Sequence, residues 1–202
     1  MDQKINDLPQ LYEDAQKLYT DVVKGKADSI LNNLDSAIST LKNSWKGKDA
    51  GVQINNVVTV YNGVVAVRNA LADLAKNSSV VANDYFEILS MNAANVSADG
   101  PITIDEVKQP VAPYEDSSNS IDITTEAVNG KSLLDNVNDQ YDEFVSTARA
   151  YHDSIMGNWL AGPHRNDAEE AFSTFDSNSA AYKKVISEVS QSVATAIKNY
   201  NL

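Results

Sequence analysis

The chain has 202 residues, 43% of them hydrophobic, enough for one sizeable core or two small domains. It carries no cysteine, which excludes disulfides, a thiolate nucleophile and cysteine-based zinc ligation. A formal net charge of −12 repels phosphate backbones and anionic headgroups, so neither nucleic acid nor a membrane surface is an expected partner.

The opening Met1-Asp2-Gln3-Lys4-Ile5-Asn6-Asp7 lacks the basic start and apolar run of a secretory signal. No stretch is long and apolar enough to span a bilayer. The expectation is a protein made in the cytoplasm, without stable membrane insertion, that would leave the cell only by a non-Sec route. Leu8, Leu11, Ala15, Leu18 and Val22, then Ala27, Ile30, Leu34, Ile38, Leu41 and Trp45, fall at helical spacing. They predict a helix from Asn6 to Asn43, roughly 55 Å long, with Pro9 in its first turn and a weak point at Gly25.

The stretch Asn43-Ser44-Trp45-Lys46-Gly47-Lys48-Asp49-Ala50 reads as a corner, with a bulky anchor to bury and a glycine to turn on. Asp49 is expected to cap a second helix whose stripe runs Ile54, Val57, Val58, Tyr61, Val64, Val65, Arg68, Leu71, Leu74 and Ala75, continuing to Leu89. Asn77-Ser78-Ser79 is the expected place for it to fray or kink. From Asn95 to Thr125 the helical period disappears, and Pro101, Pro110 and Pro113 mark a linker. Within it, Ile102-Thr103-Ile104 is a candidate extended piece lying on the helices.

A third stripe of Val128, Leu133, Leu134, Val137, Tyr141, Phe144, Val145, Ala148, Tyr151 and Ile155 ends in a second corner, Asn158-Trp159-Leu160-Ala161-Gly162-Pro163. Asp167 is expected to cap a fourth helix through Phe172, Phe175, Ile186, Val189, Val193 and Ile197. Aligning Asp49 with Asp167 sets Ile54 on Phe172, Val57 on Phe175, Leu71 on Val189 and Ala75 on Val193, a degenerate tandem repeat. The expected organisation is one hairpin over residues 1–95, a linker over 96–125 and a second hairpin over 126–202.

Chemistry finds little footing. The two histidines, His152 and His164, read as solvated or capping residues. Neither follows a glutamate at the spacing a di-iron bundle needs, since Arg149 and Ala161 stand there. The acidic groups Asp139, Asp142 and Glu143, and Asp167, Glu169 and Glu170, lack the spacing and glycine of a calcium loop. No nucleophilic triad, phosphate-binding loop or dinucleotide fingerprint is visible. No enzyme, cofactor or metal is expected.

A Trp-x-Gly corner joining two long helices, in an acidic chain without cysteine or signal peptide, resembles the WXG family of type VII (ESX) secretion proteins. Trp45-Lys46-Gly47 matches the motif directly, and Trp159-Leu160-Ala161-Gly162 departs from it by one inserted residue. The resemblance implies an all-α, antiparallel four-helix bundle of two long helix-turn-helix hairpins. Two chains usually supply that pair; here it would be an intramolecular pseudo-dimer, and so a monomer. Antiparallel packing would set the linker a span of roughly 50 Å, which some thirty residues cover easily at up to ~100 Å.

The resemblance further implies a secreted, non-enzymatic substrate or targeting adaptor, recognised through Trp45, Gly47, Trp159 and Gly162. The type VII membrane ATPase and a co-secreted effector would be its partners. Secreted members carry Tyr-x-x-x-Asp/Glu after a hairpin's last helix; here Tyr85 is followed four residues on by Leu89, and Tyr200 is nearly terminal. The alternative is a structural or adaptor bundle unrelated to secretion, whose tryptophans merely close hairpins.

Overall fold

A computed structural model describes residues 4–89, 100–116, 121–161 and 165–200. The protein is all-α, with four long helical runs packed antiparallel as a four-helix bundle. The first run comprises α1 (Leu8–Lys17), a π-helical stretch (Leu18–Ala27) and α2 (Asp28–Ser44). The others are α3 (Lys48–Leu89), α4 (Ala127–Asn158) and α5 (Arg165–Asn199). Four very short strands stand at helix ends: β1 (Lys4–Ile5), β2 (Trp45–Lys46), β3 (Asp122–Ile123) and β4 (Trp159–Ala161).

Local chemistry explains the helix boundaries. The Asp7 carboxylate accepts the Gln10 N–H at 3.1 Å, and Pro9 sits in the first turn, where a missing donor costs nothing. Gly25 does not interrupt the first run. It lies in the π-helical stretch, whose N–H groups reach five residues back, and a Cβ there would stand 3.3 Å from the Thr20 carbonyl oxygen.

Two expected caps are displaced. Helix α3 starts at Lys48 and α5 at Arg165, so Asp49 and Asp167 lie inside the first turn, where a carboxylate still favours the positive end of the helix dipole. Nor does Asn77-Ser78-Ser79 break α3. Ser78 Oγ donates to the Leu74 carbonyl and Ser79 Oγ to the Lys76 carbonyl, each at 2.7 Å, so both hydroxyls are satisfied inside the helix.

The contacts gather into two compact units, each drawing segments from both hairpins. One comprises Met1–Ala27, Ala66–Lys108 and Phe144–Phe175; the other comprises Asp28–Val65, Gln109–Glu143 and Asp176–Leu202. The first unit buries Leu11, Leu18, Leu71, Leu74, Ile155 and Trp159, and contains an edge-to-face pair of Phe144 and Phe175, ring centres 5.5 Å apart. The second buries Ile30, Leu34, Leu41, Ile54, Val57, Leu134, Tyr141, Ile186 and Val189. Every residue matched by the repeat register, from Ile54 and Phe172 to Ala75 and Val193, is buried.

Close approach accounts for Gly130. In the second unit a Cβ on Gly130 of α4 would meet Leu41 Cδ2 at 2.8 Å and Cγ at 2.9 Å, and Leu41 is fully buried. Alanine would gain about 1 kcal/mol of helix propensity there, but overpacking a closed core costs about 1–3 kcal/mol. Gly130→Ala is therefore expected to lower the urea midpoint. Gly157→Ala, also in α4 but with nothing within 4 Å of the added Cβ, is expected to leave it unchanged or raise it.

Candidate interaction site at the tryptophan corners

In the second unit the chain leaves α2 at Ser44 and becomes extended for two residues. Trp45 pairs with Ile123 and Lys46 with Asp122 in an antiparallel ladder, and the Thr124 N–H donates to the Ser44 carbonyl at 2.9 Å. Gly47 follows with φ +113°, a left-handed conformation that a side chain disfavours. Its N–H donates to the Asp116 carboxylate at 2.9 Å, and its carbonyl accepts the Gly51 N–H at 3.0 Å, which opens α3. Trp45 is buried beneath this turn.

The first unit repeats the arrangement. Ile5 pairs with Trp159 and Lys4 with Ala161, and the Asn6 N–H donates to the Asn158 carbonyl at 2.8 Å. Trp159 is fully buried, and its indole N–H donates to the Ala161 carbonyl at 3.0 Å. Arg165 closes the bend, Nε donating to the Trp159 carbonyl at 2.7 Å while Nη1 pairs with Glu169 at 2.8 Å. Gly162 and His164 lie outside the described residues. At both corners the residue before the tryptophan thus accepts the N–H that follows the two-residue strand leading into the other hairpin's first helix.

Sequence reasoning missed a second feature. The segment expected to be a linker lies along α3 on asparagine side chains. In the second unit Asn62 Nδ2 donates to the Val111 carbonyl at 3.0 Å while its Oδ1 accepts the Val111 N–H at 2.8 Å. Asn55 makes the same two bonds to Tyr114, both at 2.7 Å, and the Lys42 ammonium sits 5.2 Å from the Tyr114 ring centre.

In the first unit Asn69 makes this pair of bonds to Lys108, at 2.8 and 3.1 Å. The buried Arg68 donates to the Glu106 carbonyl at 2.6 Å, which explains a cation on the apolar stripe. The Ile102 N–H donates to Ser79 Oγ at 2.9 Å and the Asp105 N–H to Tyr19 Oη at 3.1 Å, so Ile102-Thr103-Ile104 does lie on the helices.

A polar cleft of about 670 Å³ opens beside Trp45 in the second unit, lined by Asp49 and Gln53 of α3 and by Glu188, Gln191 and Asn199 of α5. Nearby on α4, Asp135 accepts Ser190 Oγ at 2.5 Å and Lys131 Nζ at 2.6 Å. Burial disfavours the Asp135 charge, but those two hydrogen bonds and the Lys131 ammonium outweigh it and hold the carboxyl below the usual carboxylate range. Tyr141 shifts the other way, its phenol pushed up by burial and by Tyr182. His152 is buried, not solvated: its ring stacks on Phe172 at 4.2 Å and Nδ1 lies 3.1 Å from Asp153.

Among the described residues no group of three or more histidine or acidic side chains could hold a metal ion, and no helix is long and apolar enough to cross a membrane. No protein-family model, curated protein or solved structure matches the chain.

Trp159→Ala empties a closed bend and is expected to cost about 3–5 kcal/mol in urea unfolding. Gly47→Ala, which forces a side chain into the left-handed region, is expected to cost about 1–3 kcal/mol. Asp135 adds a pH dependence. Because its native pKa is depressed, its stabilising effect is complete above the unfolded value of about 3.9 and is lost as pH falls through the lower native value. The stability gap between the wild type and Asp135→Asn is therefore expected to hold in urea melts down to about pH 5 and to narrow as pH falls below about 4.

Proposed function

We propose that this chain is a non-enzymatic substrate or secretion partner of a type VII (ESX) secretion system, acting as a targeting adaptor through protein–protein contacts. One observation carries the reading: a tryptophan corner between two long antiparallel helices occurs twice, and each is closed by the strand that leads into the other hairpin. Two tryptophan corners on two antiparallel hairpins in one chain are what a fused WXG pseudo-dimer implies. The left-handed Gly47 one residue after Lys46 gives the Trp-x-Gly spacing a mechanical reason, since it turns the chain directly into α3.

On this reading the partners are the type VII membrane ATPase and a co-secreted effector, and the corners carry recognition through Trp45, Gly47, Trp159 and Gly162. The bundle is a single-chain pseudo-dimer exported by the type VII machinery. A structural or adaptor bundle unrelated to secretion is the second reading. It is favoured by the lack of a Tyr-x-x-x-Asp/Glu match at Tyr85, which is followed four residues on by Leu89.

Comparing culture supernatants of the native host with and without the type VII ATPase separates the two. Accumulation outside the cell that disappears with the ATPase is the expected result. Retention in both strains supports the second reading, and export that survives loss of the ATPase overturns the type VII assignment.

A further inference from the structure

We propose that the asparagine-bearing face of α3 is a binding site for extended, proline-punctuated peptide backbone. The chain fills it with its own residues 109–116, and it would accept an equivalent segment in trans. The site belongs to the second unit and stands apart from the secretion reading.

The argument is one of pitch. An α-helix advances about 10.5 Å over seven residues, so Asn55 and Asn62 present their carboxamides on one face at that interval. An extended chain in the polyproline conformation advances about 9.3 Å over three residues, and a strand about 10 Å. Seven helical residues and three extended ones therefore match to within about 1 Å. The observed partners, Val111 and Tyr114, are three apart. Asn69 and Lys108 continue both spacings in the sequence and form the same bonds within the first unit.

The burial of the segment has the same period. Val111 and Tyr114 are half-buried, whereas Gln109, Pro110, Ala112 and Pro113 are exposed. Each rung reads one N–H and one carbonyl and no side-chain group, so it tolerates many residues but not proline, which has no N–H to give. Proline falls just off the rungs, at Pro110 and Pro113. There it fixes its own φ and steers Gln109 and Ala112 toward extended backbone. Much of the ordering is thus built in before docking. The ligand class follows: a peptide of repeated x-x-Pro steps with a non-proline residue after each proline. A carboxylate two residues past the last rung would meet the Gly47 N–H, as Asp116 does here.

Hydrogen exchange on the intact protein reads the rungs directly. The Val111 and Tyr114 amides are expected to exchange at least tenfold more slowly than those of Gln109 and Ala112. Asn62→Ala should accelerate Val111 at least tenfold and leave Tyr114 within twofold. Uniform exchange across 109–114, or no response of Val111 to Asn62→Ala, would overturn the proposal.

The trans arm uses the full chain with residues 109–116 replaced by the same number of Gly and Ser residues. A synthetic peptide of the native 109–116 sequence should shift the Asn55 and Asn62 side-chain amide resonances saturably, while the same peptide carrying Val111→Pro and Tyr114→Pro should not. No shift in a chain that keeps its helical circular dichroism, or equal shifts with both peptides, refutes binding in trans. If the replaced chain loses that signal, the intact protein is titrated with the native 109–116 peptide instead: faster Val111 and Tyr114 exchange at saturating peptide is expected, and unchanged exchange refutes binding in trans.

Discussion

An α-helix offers a passing chain nothing to bond to along its sides, because its own N–H and C=O groups are consumed in its ladder. An extended connector laid against such a surface has to find side chains for its backbone or leave those groups to water. This protein supplies asparagine, whose carboxamide donates and accepts together and can complete one residue's pair of backbone groups. In the second unit Asn62 and Asn55 carry the connector toward the corner, and Asp116 fastens it to the Gly47 N–H. The ladder of Asp122 and Ile123 with Lys46 and Trp45 then sets the entry to α4.

The corners show how a helix reversal is closed when one glycine is not enough. Each indole fills the bend, and an incoming two-residue strand covers it with main-chain hydrogen bonds. Repeated in each unit, that closure makes the two halves of the sequence structurally reciprocal, since each hairpin's leading segment finishes the other's turn. The two bends differ in what they leave open. Trp159 is sealed, with its indole donor and its carbonyl both engaged, whereas Trp45 borders an open polar cleft carrying Asp49 and Glu188.

Helical periodicity was the most legible part of the sequence, because burial of one stripe per helix leaves the same trace wherever it occurs. Matching Ile54 with Phe172 and Ala75 with Val193 rested on that trace with Asp49 aligned to Asp167, and all four are buried. Boundaries were less legible. Asp49 and Asp167 have cap chemistry, but the turn geometry of Gly47 and the bonds of Arg165 start the helices earlier. Ser78 and Ser79 looked like breakers, yet each serves its own helix. His152 read as solvated because nothing in its neighbourhood announces Phe172. The connector was legible as an extended linker but its docking was not: Pro110 and Pro113 stand three residues apart and Asn55, Asn62 and Asn69 seven apart, and neither spacing is visible when only 3.6 is sought.

The matched pitches also restrict how the gene can drift. One extra codon between Val111 and Ala112 would slide Pro113 into the place that now offers an amide to Asn55, abolishing that donor, whereas three extra codons would restore the phase at the expense of a small bulge. The spacing of this segment thus follows the helix face it lies on, three extended residues to every seven helical ones.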